Sequence, residues 1–286
     1  MQNVYSIRAI LILTTPLLFA AIAPRLSTAL AQGSLTPPGA PAPTFKTLSQ
    51  VEPRYPIFTY QTNLTVSGSY YLTTNLFSGT NGNDAINIRT NVNNITIDLN
   101  GFTIISTNPA GLDAPVGIRI SAATNIVIRN GQISGFDRAV RSEFSRGVVV
   151  ENIHAHGCRR AGIEADGSLG DPTASTIVVR NCVVEGVDGT GEGANVSCDG
   201  IVILGCTAVV DNCVVRDIIA VGTGASSCIN ASSPTNTFIN NNYLSGADVG
   251  LRMSGGGTRV YYRDNLTAGV GTSFSGTGGV DRGGNF

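Results

Sequence analysis

The sequence contains no tryptophan, one lysine (Lys46) and only two histidines. Basic and acidic residues nearly balance, with 18 Lys and Arg against 19 Asp and Glu, so the chain lacks the basic excess of a general nucleic-acid-binding protein. Few stretches have apolar residues at helical spacing, which disfavours helical bundles and helical repeats. No cysteines form a Cys-x-x-Cys pair, so a thiolate zinc site is not indicated. What remains is a series of short Val- and Ile-rich runs bounded by Gly, Asn and Asp, which is typical of β-strands.

The N-terminus has the features of a secretory signal peptide. Arg8 precedes an apolar run at 9–23, and the Ala-Leu-Ala at 29–31 supplies the small residues of a cleavage site. The pattern predicts a signal peptide over 1–31 and a Pro-rich lead-in over 32–56. The alternative is an uncleaved anchor helix, which two prolines within the segment disfavour. We therefore expect a secreted, periplasmic or cell-surface protein with no membrane insertion after cleavage.

Two short phrases recur along the rest of the chain. The first places Asn between two apolar runs, as in IVIRNGQISG at 126–135, IVVRNCVVEG at 177–186 and AVVDNCVVRD at 208–217. The second is Gly or Ala followed by an apolar residue, as in GI at 117–118 and 162–163. The phrases alternate, and successive Asn positions are 22 to 31 residues apart. Such interleaving predicts a solenoid in which each coil contributes several short strands.

Stacking of equivalent coils gives the repeated residues a structural meaning. Asn tolerates the left-handed backbone of a bend, and its amide can bond to the Asn of the next coil. Charges of alternating sign attract when stacked, so the residue before each Asn is interpreted as a structural column. That column reads Asp98, Arg129, Glu151, Arg180 and Asp211. Cys182 and Cys213 also occupy equivalent positions in adjacent coils, where they either form a disulfide or merely stack.

These ladders resemble the right-handed parallel β-helix of the pectate-lyase-like superfamily. The stretch GSYYLTTNL…ITIDLNGFTI…IVIRNGQISGF resembles secreted bacterial β-helix-repeat proteins. The resemblance covers 57–269 and implies an all-β, single-stranded right-handed parallel β-helix of about seven coils. It also implies an N-terminal cap around 57–80 and leaves a Gly-rich tail at 270–286, which either completes the C-terminal end of the solenoid or remains loose. Because this fold hosts lyases, hydrolases, epimerases and non-enzymes, the resemblance alone implies no activity.

In enzymes of the resembled fold, the substrate lies over the sheet that the Gly-Ile phrase would form. The repeat register places Arg119, Arg141 and Glu164 on its outer face, and the entering loops add further charged residues. Arginine forks bind carboxylate or sulfate, so this face predicts a groove for an acidic polysaccharide. The candidate catalytic residues are Arg119, Arg141, Glu164 and Asp137, and the candidate substrate-binding residues are Arg138, Arg159 and Arg160. The alternative is a solvated face with ion pairs such as Arg141–Glu164.

Two further groups have the residue types of binding sites. His154 and His156 share one face of a strand and are counted with the substrate-binding candidates, although no third metal ligand accompanies them. The loop DGTGEG brings Asp188 and Glu192 into a pattern that could present oxygens to Ca²⁺. We expect no obligatory cofactor, with Ca²⁺ as the one metal suited to this loop. No family catalytic residue carries over, because the chain has no Asp-Asp pair and only HAHG approaches a Gly-His-Gly motif.

The sequence therefore supports two functional hypotheses. In the first, an exported monomer binds an acidic polysaccharide on its arginine-bearing face and cleaves it by elimination or hydrolysis. In the second, a non-catalytic envelope or surface β-helix serves in adhesion or as a spacer. A concave groove with converging polar groups favours an enzyme. A flat face with paired arginines favours the structural role.

Overall fold

A computed structural model describes residues 52–78, 82–107, 115–167, 175–255 and 259–286. The predicted signal peptide and all but the last residues of the Pro-rich lead-in lie outside these ranges. The described residues form strands, turns and bends without an α-helix. Over the same ranges, no helix has the length and apolar character needed to span a bilayer.

One sheet contains the strands that the Gly-Ile phrase predicts. Every neighbouring pair in it is parallel. We call it the nine-stranded sheet, and its strands in spatial order are β2 (Thr62–Leu64), β5 (Ile86–Ile88), β8 (Val116–Ser121), β10 (Arg138–Glu143), β12 (Ala161–Asp166), β15 (Cys198–Leu204), β18 (Ser226–Ser232), β21 (Val249–Ser254) and β24 (Thr272–Gly276).

The second sheet bends at the Asn positions and consists of two rows of parallel strands. The row before the bend contains β1 (Tyr55–Ile57), β3 (Gly68–Leu72), β6 (Asn93–Asp98), β9 (Thr124–Ser134), β11 (Arg146–His156), β13 (Thr176–Arg180), β16 (Thr207–Asp211), β19 (Thr237–Asn240), β22 (Val260–Arg263) and β25 (Gly279–Asp281). The row after it contains β4 (Leu76–Phe77), β7 (Thr103–Ile105), β14 (Val183–Asp188), β17 (Val214–Ile219), β20 (Tyr243–Ser245) and β23 (Leu266–Ala268). The long strands β9 and β11 run through the bend and join both rows.

Each coil thus contributes up to three strands, which confirms the predicted right-handed parallel β-helix. The nine-stranded sheet contains the seven strands that the Gly-Ile phrase marks and one more at each end, β2 and β24. Strands β24 and β25 lie within the Gly-rich tail, and β1 begins inside the lead-in. The solenoid therefore extends beyond the predicted range of 57–269 at both ends.

The interior consists of stacked apolar columns. Branched side chains suit these positions because they pack well on a pleated surface. One column is fully buried and in register across six coils: Ile118, Val140, Ile163, Ile201, Ile229 and Leu251. Because side chains alternate across a strand, burial of this column turns the next residue of each strand outward. The apolar repeat therefore fixes which residues form the outer face.

The Asn bends adopt the predicted left-handed conformation. Asn100, Asn130, Asn152, Asn181, Asn212 and Asn241 have φ between 51° and 60°. The Asn152 Nδ2 donates to Asn130 Oδ1 at 3.2 Å, and the Asn212 Nδ2 donates to Asn181 Oδ1 at 2.8 Å. The bend between β22 and β23 differs, because Asp264 takes the left-handed position and Asn265 lies buried one residue later.

The charged column beside the bends is structural, as its alternating signs predicted. Arg129 Nε lies 3.1 Å from Asp98 Oδ2, and Arg180 Nη2 lies 2.6 Å from Glu151 Oε2. Each of these pairs joins partners in strand register on neighbouring coils. Such half-exposed pairs add modest stability each.

All six cysteines are buried free thiols. Cys182 and Cys213 stack without a disulfide, and each thiol donates to a nearby backbone carbonyl oxygen, of Arg180 at 3.3 Å and of Asp211 at 3.4 Å. Burial raises the pKa of Cys206 to about 12, so this thiol stays protonated at neutral pH. The cysteines therefore act as small apolar residues of the interior.

Candidate functional site

The outer face of the nine-stranded sheet has the register that the repeat predicted. Arg119 on β8 pairs in register with Arg141 on β10, which pairs with Glu164 on β12. Further along the same column follow Val202, Asn230 and Arg252, and Asn87 precedes it on β5. One outward residue per coil therefore stands about 4.8 Å from the next.

Arg119 is held between two carboxylates. Its Nε lies 2.6 Å from Asp84 Oδ2, and its Nη1 lies 3.2 Å from Glu143 Oε2. Asp84 is fixed in turn, because its Oδ1 accepts the Val116 backbone N–H at 2.8 Å. Burial alone would lower the pKa of Arg119, but the two carboxylates raise it above its ordinary value. Arg119 is thus a permanent cation in this setting.

Arg141 continues the chain of ion pairs. Its Nε lies 2.9 Å from Glu164 Oε1, and its Nη2 lies 3.1 Å from Glu143 Oε1. Glu143 therefore bridges Arg119 and Arg141, one through each of its oxygens. The Arg141–Glu164 contact is the pair that the sequence analysis named as the alternative to a free arginine groove.

Arg138 connects the face to a buried carboxyl group. It contacts Glu164 through Nε and Asp137 through Nη1. Asp137 is 0% exposed, and Arg160 Nε lies 3.6 Å from its Oδ1. Burial raises the pKa of Asp137, and the neighbouring Arg138 and Arg160 only partly oppose this shift. For Arg138, burial would lower the pKa, but Glu164 and Asp137 raise it.

These contacts form one continuous cluster, which we call the arginine–carboxylate network. It consists of Arg119, Arg138, Arg141 and Arg160 with Asp84, Asp137, Glu143, Glu164 and Asp166. Four arginines against five carboxylates give a formal charge of −1 when all are ionised. The sequence analysis placed the arginines on this face, but their pairing prevents them from forming a cationic groove.

Three other sequence candidates, Arg159, Asp188 and Glu192, are engaged elsewhere. Arg159 Nε lies 2.6 Å from Glu192 Oε1, and both side chains are almost buried. Asp188 Oδ1 accepts the Thr190 backbone N–H at 2.8 Å, which closes a local turn. Within the described ranges, no group of three or more His, Cys, Asp or Glu side chains is arranged to hold a metal ion. Glu192 is engaged as the ion-pair partner of Arg159, and the calcium site at Asp188 and Glu192 stays a prediction.

The structure separates the two histidines from the arginine face. His154 and His156 lie on β11 of the bent sheet, with ring centroids 4.8 Å apart. His154 Nε2 lies 2.8 Å from Glu185 Oε1, and Glu185 also contacts Arg216. Burial lowers the pKa of His156, and the neighbouring His154 lowers it further. The two histidines therefore lie on a different sheet from the arginine–carboxylate network.

Asp199 is a carboxyl group whose place on the nine-stranded sheet the sequence analysis did not identify. It stands on β15, is 9% exposed, and accepts a hydrogen bond from Asn230 Nδ2 at 3.0 Å. Its Oδ1 is buried with no hydrogen-bond partner in the described part of the chain. Burial raises its pKa despite the Asn230 amide. The available signal was its position directly before a Gly-Ile phrase, at the entry to the sheet.

Replacing Asp199 with Asn is expected to stabilise the protein at neutral pH. Because the pKa of Asp199 is higher in the folded than in the unfolded state, ionised Asp199 destabilises the fold at neutral pH. This destabilisation decreases as the pH falls and is absent below the unfolded-state pKa of about 3.9. We expect the free energy of unfolding to rise by about 1 kcal/mol at pH 7 and to match wild type near pH 3. Urea unfolding at both pH values measures the effect. Asp188→Asn, which keeps its turn acceptor, is the control, and equal changes in both variants would contradict the assignment.

Comparisons with known proteins give matches at the level of structure. No protein-family model matches the sequence, and no curated protein matches it. An alginate lyase from Paenibacillus sp. is similar at 11% identity and a TM-score of 0.44, over 80% of this chain and 96% of that one. A pectate lyase is similar at 12% identity and a TM-score of 0.46, over 79% and 68%. The ORF18 protein of Geobacillus virus E2 is similar at 12% identity and a TM-score of 0.49, over 80% of this chain and 52% of that one.

Identities this low assign no activity to the present chain. Its function has to be argued from its own side chains.

Proposed function

We propose that this chain is an exported, polysaccharide-binding β-helix that holds its ligand along the nine-stranded sheet without cleaving it. The arginine–carboxylate network carries this proposal. It fixes polar groups along the outer face of the sheet, and it keeps the candidate acids and bases of that face buried. The proposal thus combines the saccharide ligand of one sequence-based hypothesis with the non-catalytic role of the other.

The network leaves hydrogen-bonding capacity for a ligand. The side chains of Arg119 and Arg141 are 24% and 25% exposed. Each guanidinium has five N–H donors, and the carboxylates do not occupy all of them. Asn87 and Arg252 extend the row of polar groups to neighbouring coils. Because the ion pairs hold these side chains in place, a ligand loses little of its binding free energy to ordering them.

The same contacts argue against catalysis on this face. A glycosidase needs two carboxyl groups that flank the scissile bond, and a lyase needs an accessible base. Asp137 is fully buried, Glu164 is 5% exposed, and both are bound to Arg138. The raised pKa of Arg119 opposes its use as a base. The catalytic roles suggested for these residues are therefore not favoured, because the two carboxyl groups are buried and Arg119 stays protonated.

The charge of the network bears on the kind of polysaccharide. With a formal charge of −1, it offers no net attraction to a polyanion. Its alternating donors and acceptors instead suit the hydroxyl groups of a neutral chain. We therefore place neutral polysaccharides ahead of acidic ones for this sheet. The runner-up function is a spacer or adhesion β-helix with no saccharide affinity.

Affinity electrophoresis of the purified protein through gels that contain neutral or acidic polysaccharides tests this proposal. We expect retardation by at least one neutral polysaccharide, and at least about fivefold weaker binding in Asn87→Ala and Arg252→Gln, which each remove one hydrogen-bonding group. Gln132→Ala, an exposed polar residue of the bent sheet, is the matched control and is expected to bind as wild type. A folded protein that no polysaccharide retards would contradict the proposal and favour the spacer.

A further inference from the structure

Two aromatic side chains interrupt an outward valine column on the bent sheet. The column runs in register through Val149, Val178 and Val209, and then through Phe238 on β19 and Tyr261 on β22. The rings of Phe238 and Tyr261 are nearly parallel, with an interplanar angle of 21° and centroids 5.2 Å apart. Phe238 is 43% exposed, so the pair presents an apolar surface to solvent.

Two arginines accompany this aromatic pair. The guanidinium carbon of Arg282 lies 4.9 Å from the centroid of the Tyr261 ring. In the described part of the chain, Arg282 has no carboxylate within ion-pair distance. Arg263 has only a long contact, 3.5 Å from its Nε to Asp264 Oδ2, and both side chains are more than half exposed. The cationic charge here is therefore not neutralised as it is in the arginine–carboxylate network.

These residues line an open cleft of ligand size. The cavity measures about 680 Å³ and is lined by Asn236, Phe238, Asn240, Tyr261, Arg263 and Arg282. Small-molecule sites commonly have volumes of about 300–1,000 Å³ and combine apolar walls with a few polar groups. The lining here has that composition: two aromatic rings, two guanidinium groups and two side-chain amides.

We propose that this cavity is a second saccharide-binding site, selective for an acidic sugar, and we call it the aromatic–arginine site. The apolar face of a pyranose ring packs on the exposed ring of Phe238, which Tyr261 supports by stacking. The Arg282 guanidinium, held over the Tyr261 ring, receives the sugar carboxylate, and Arg263 adds a second cation. Asn236 and Asn240 supply amides for the hydroxyl groups. The site shares no residue with the nine-stranded sheet and does not depend on the function proposed there.

Charge favours an acidic sugar over a nucleic acid as the occupant. Stacked aromatics with arginine also occur in single-strand-binding proteins, but those proteins follow the phosphate backbone with an extended basic groove. This chain carries a net charge of −1, and the cavity offers two arginines. Two cations suit one or two sugar carboxylates rather than a run of phosphates.

Calorimetric titration of the full chain with a short oligouronate, at low ionic strength, tests the site. We expect Arg282→Gln and Phe238→Ala each to weaken binding at least about tenfold, through loss of the carboxylate contact and of the stacking surface. Arg180→Gln is the matched control, because Arg180 is an exposed arginine of the same sheet that is paired with Glu151. The control and Asn87→Ala on the nine-stranded sheet are both expected to bind as wild type.

Three results would overturn the proposal. The first is unchanged affinity in Arg282→Gln and Phe238→Ala, or no oligouronate binding by the wild type. The second is loss of oligouronate binding in Asn87→Ala, which would place the ligand on the nine-stranded sheet. The third is tighter binding of oligothymidylate than of oligouronate with the same dependence on Phe238. Circular dichroism of each variant confirms that the coils remain folded.

Discussion

Replacing Arg138 with methionine is expected to lower the free energy of unfolding by about 3–5 kcal/mol at pH 7. Arg138 contacts both Asp137 and Glu164, which are almost completely buried. Methionine is of comparable length but carries no charge, so both carboxylates would lose their shared cation inside the protein. The loss reflects buried charges left unpaired, which is far more unfavourable than loss of a surface ion pair. Urea denaturation of the purified variant measures it.

The effect of Arg138→Met is expected to depend on pH in a definite direction. Without Arg138, burial dominates and raises the pKa of Asp137 further, so the variant recovers stability relative to wild type as the pH falls. Arg160→Met serves as the control, because the Arg160 side chain is about half exposed and lies 3.6 Å from Asp137. Its loss is expected to stay below about 1 kcal/mol. Similar small losses in both variants would show that the network contributes little to stability.

Replacing Phe136 with alanine is expected to lower the free energy of unfolding by about 3–5 kcal/mol. Phe136 is fully buried, and it lies between β9 and β10, directly before Asp137. Its removal leaves a cavity in an interior whose stacked strands cannot collapse easily.

Phe77→Ala is the matched control for the core substitution. Phe77 stands on β4, and its side chain is largely exposed, so the same chemical change is expected to alter stability by less than about 0.5 kcal/mol. Denaturant midpoints of the two variants are compared under identical conditions. If Phe136→Ala were as mild as Phe77→Ala, the tight packing of this coil would be contradicted.

The sequence predicted the solenoid well because its repeats encode local backbone geometry. An Asn such as Asn152 marks a left-handed bend, and alternating charges such as Glu151 and Arg180 mark positions that stack in register. The prediction failed by one residue at the last of the predicted Asn bends, where Asp264 rather than Asn265 has the left-handed conformation. There Asn265 turns inward, and its Nδ2 donates to the Ile239 carbonyl oxygen at 2.9 Å. The repeat pattern does not distinguish an outward bend residue from this buried one.

The candidate site was predictable in position but only partly in pairing. Register alone placed Arg119 and Arg141 on the outer face, and it indicated Glu164 as a partner of Arg141. The partners of Arg119 were not evident, because Asp84 lies 35 residues before Arg119 and comes from a separate loop. The individual ion pairs between carboxylate oxygens and guanidinium groups depend on side-chain conformations, and a repeat pattern does not specify these. This pairing changes the expected chemistry from an open cationic groove to a nearly neutral polar surface.

The aromatic–arginine site was missed for a different reason. In the sequence, Phe238 and Tyr261 stand where the earlier coils have an outward valine. This change of residue type predicts no binding site unless the side chains of the neighbouring coil are also known. The decisive cation, Arg282, lies in the Gly-rich tail that the repeat analysis left without a coil. Only the pairing of β25 with β22 brings it beside Tyr261.

The central claim is that the protein binds a polysaccharide without cleaving it, and a combined binding and product assay tests it most directly. The purified protein is incubated with neutral and uronate-containing polysaccharides, with and without Ca²⁺. Retention of the protein is measured together with new reducing ends and the ultraviolet absorbance of new double bonds. We predict retention with no products under any condition. Products that appear with wild type and disappear in Glu164→Gln or Arg141→Gln would contradict the claim and establish an enzyme on this sheet.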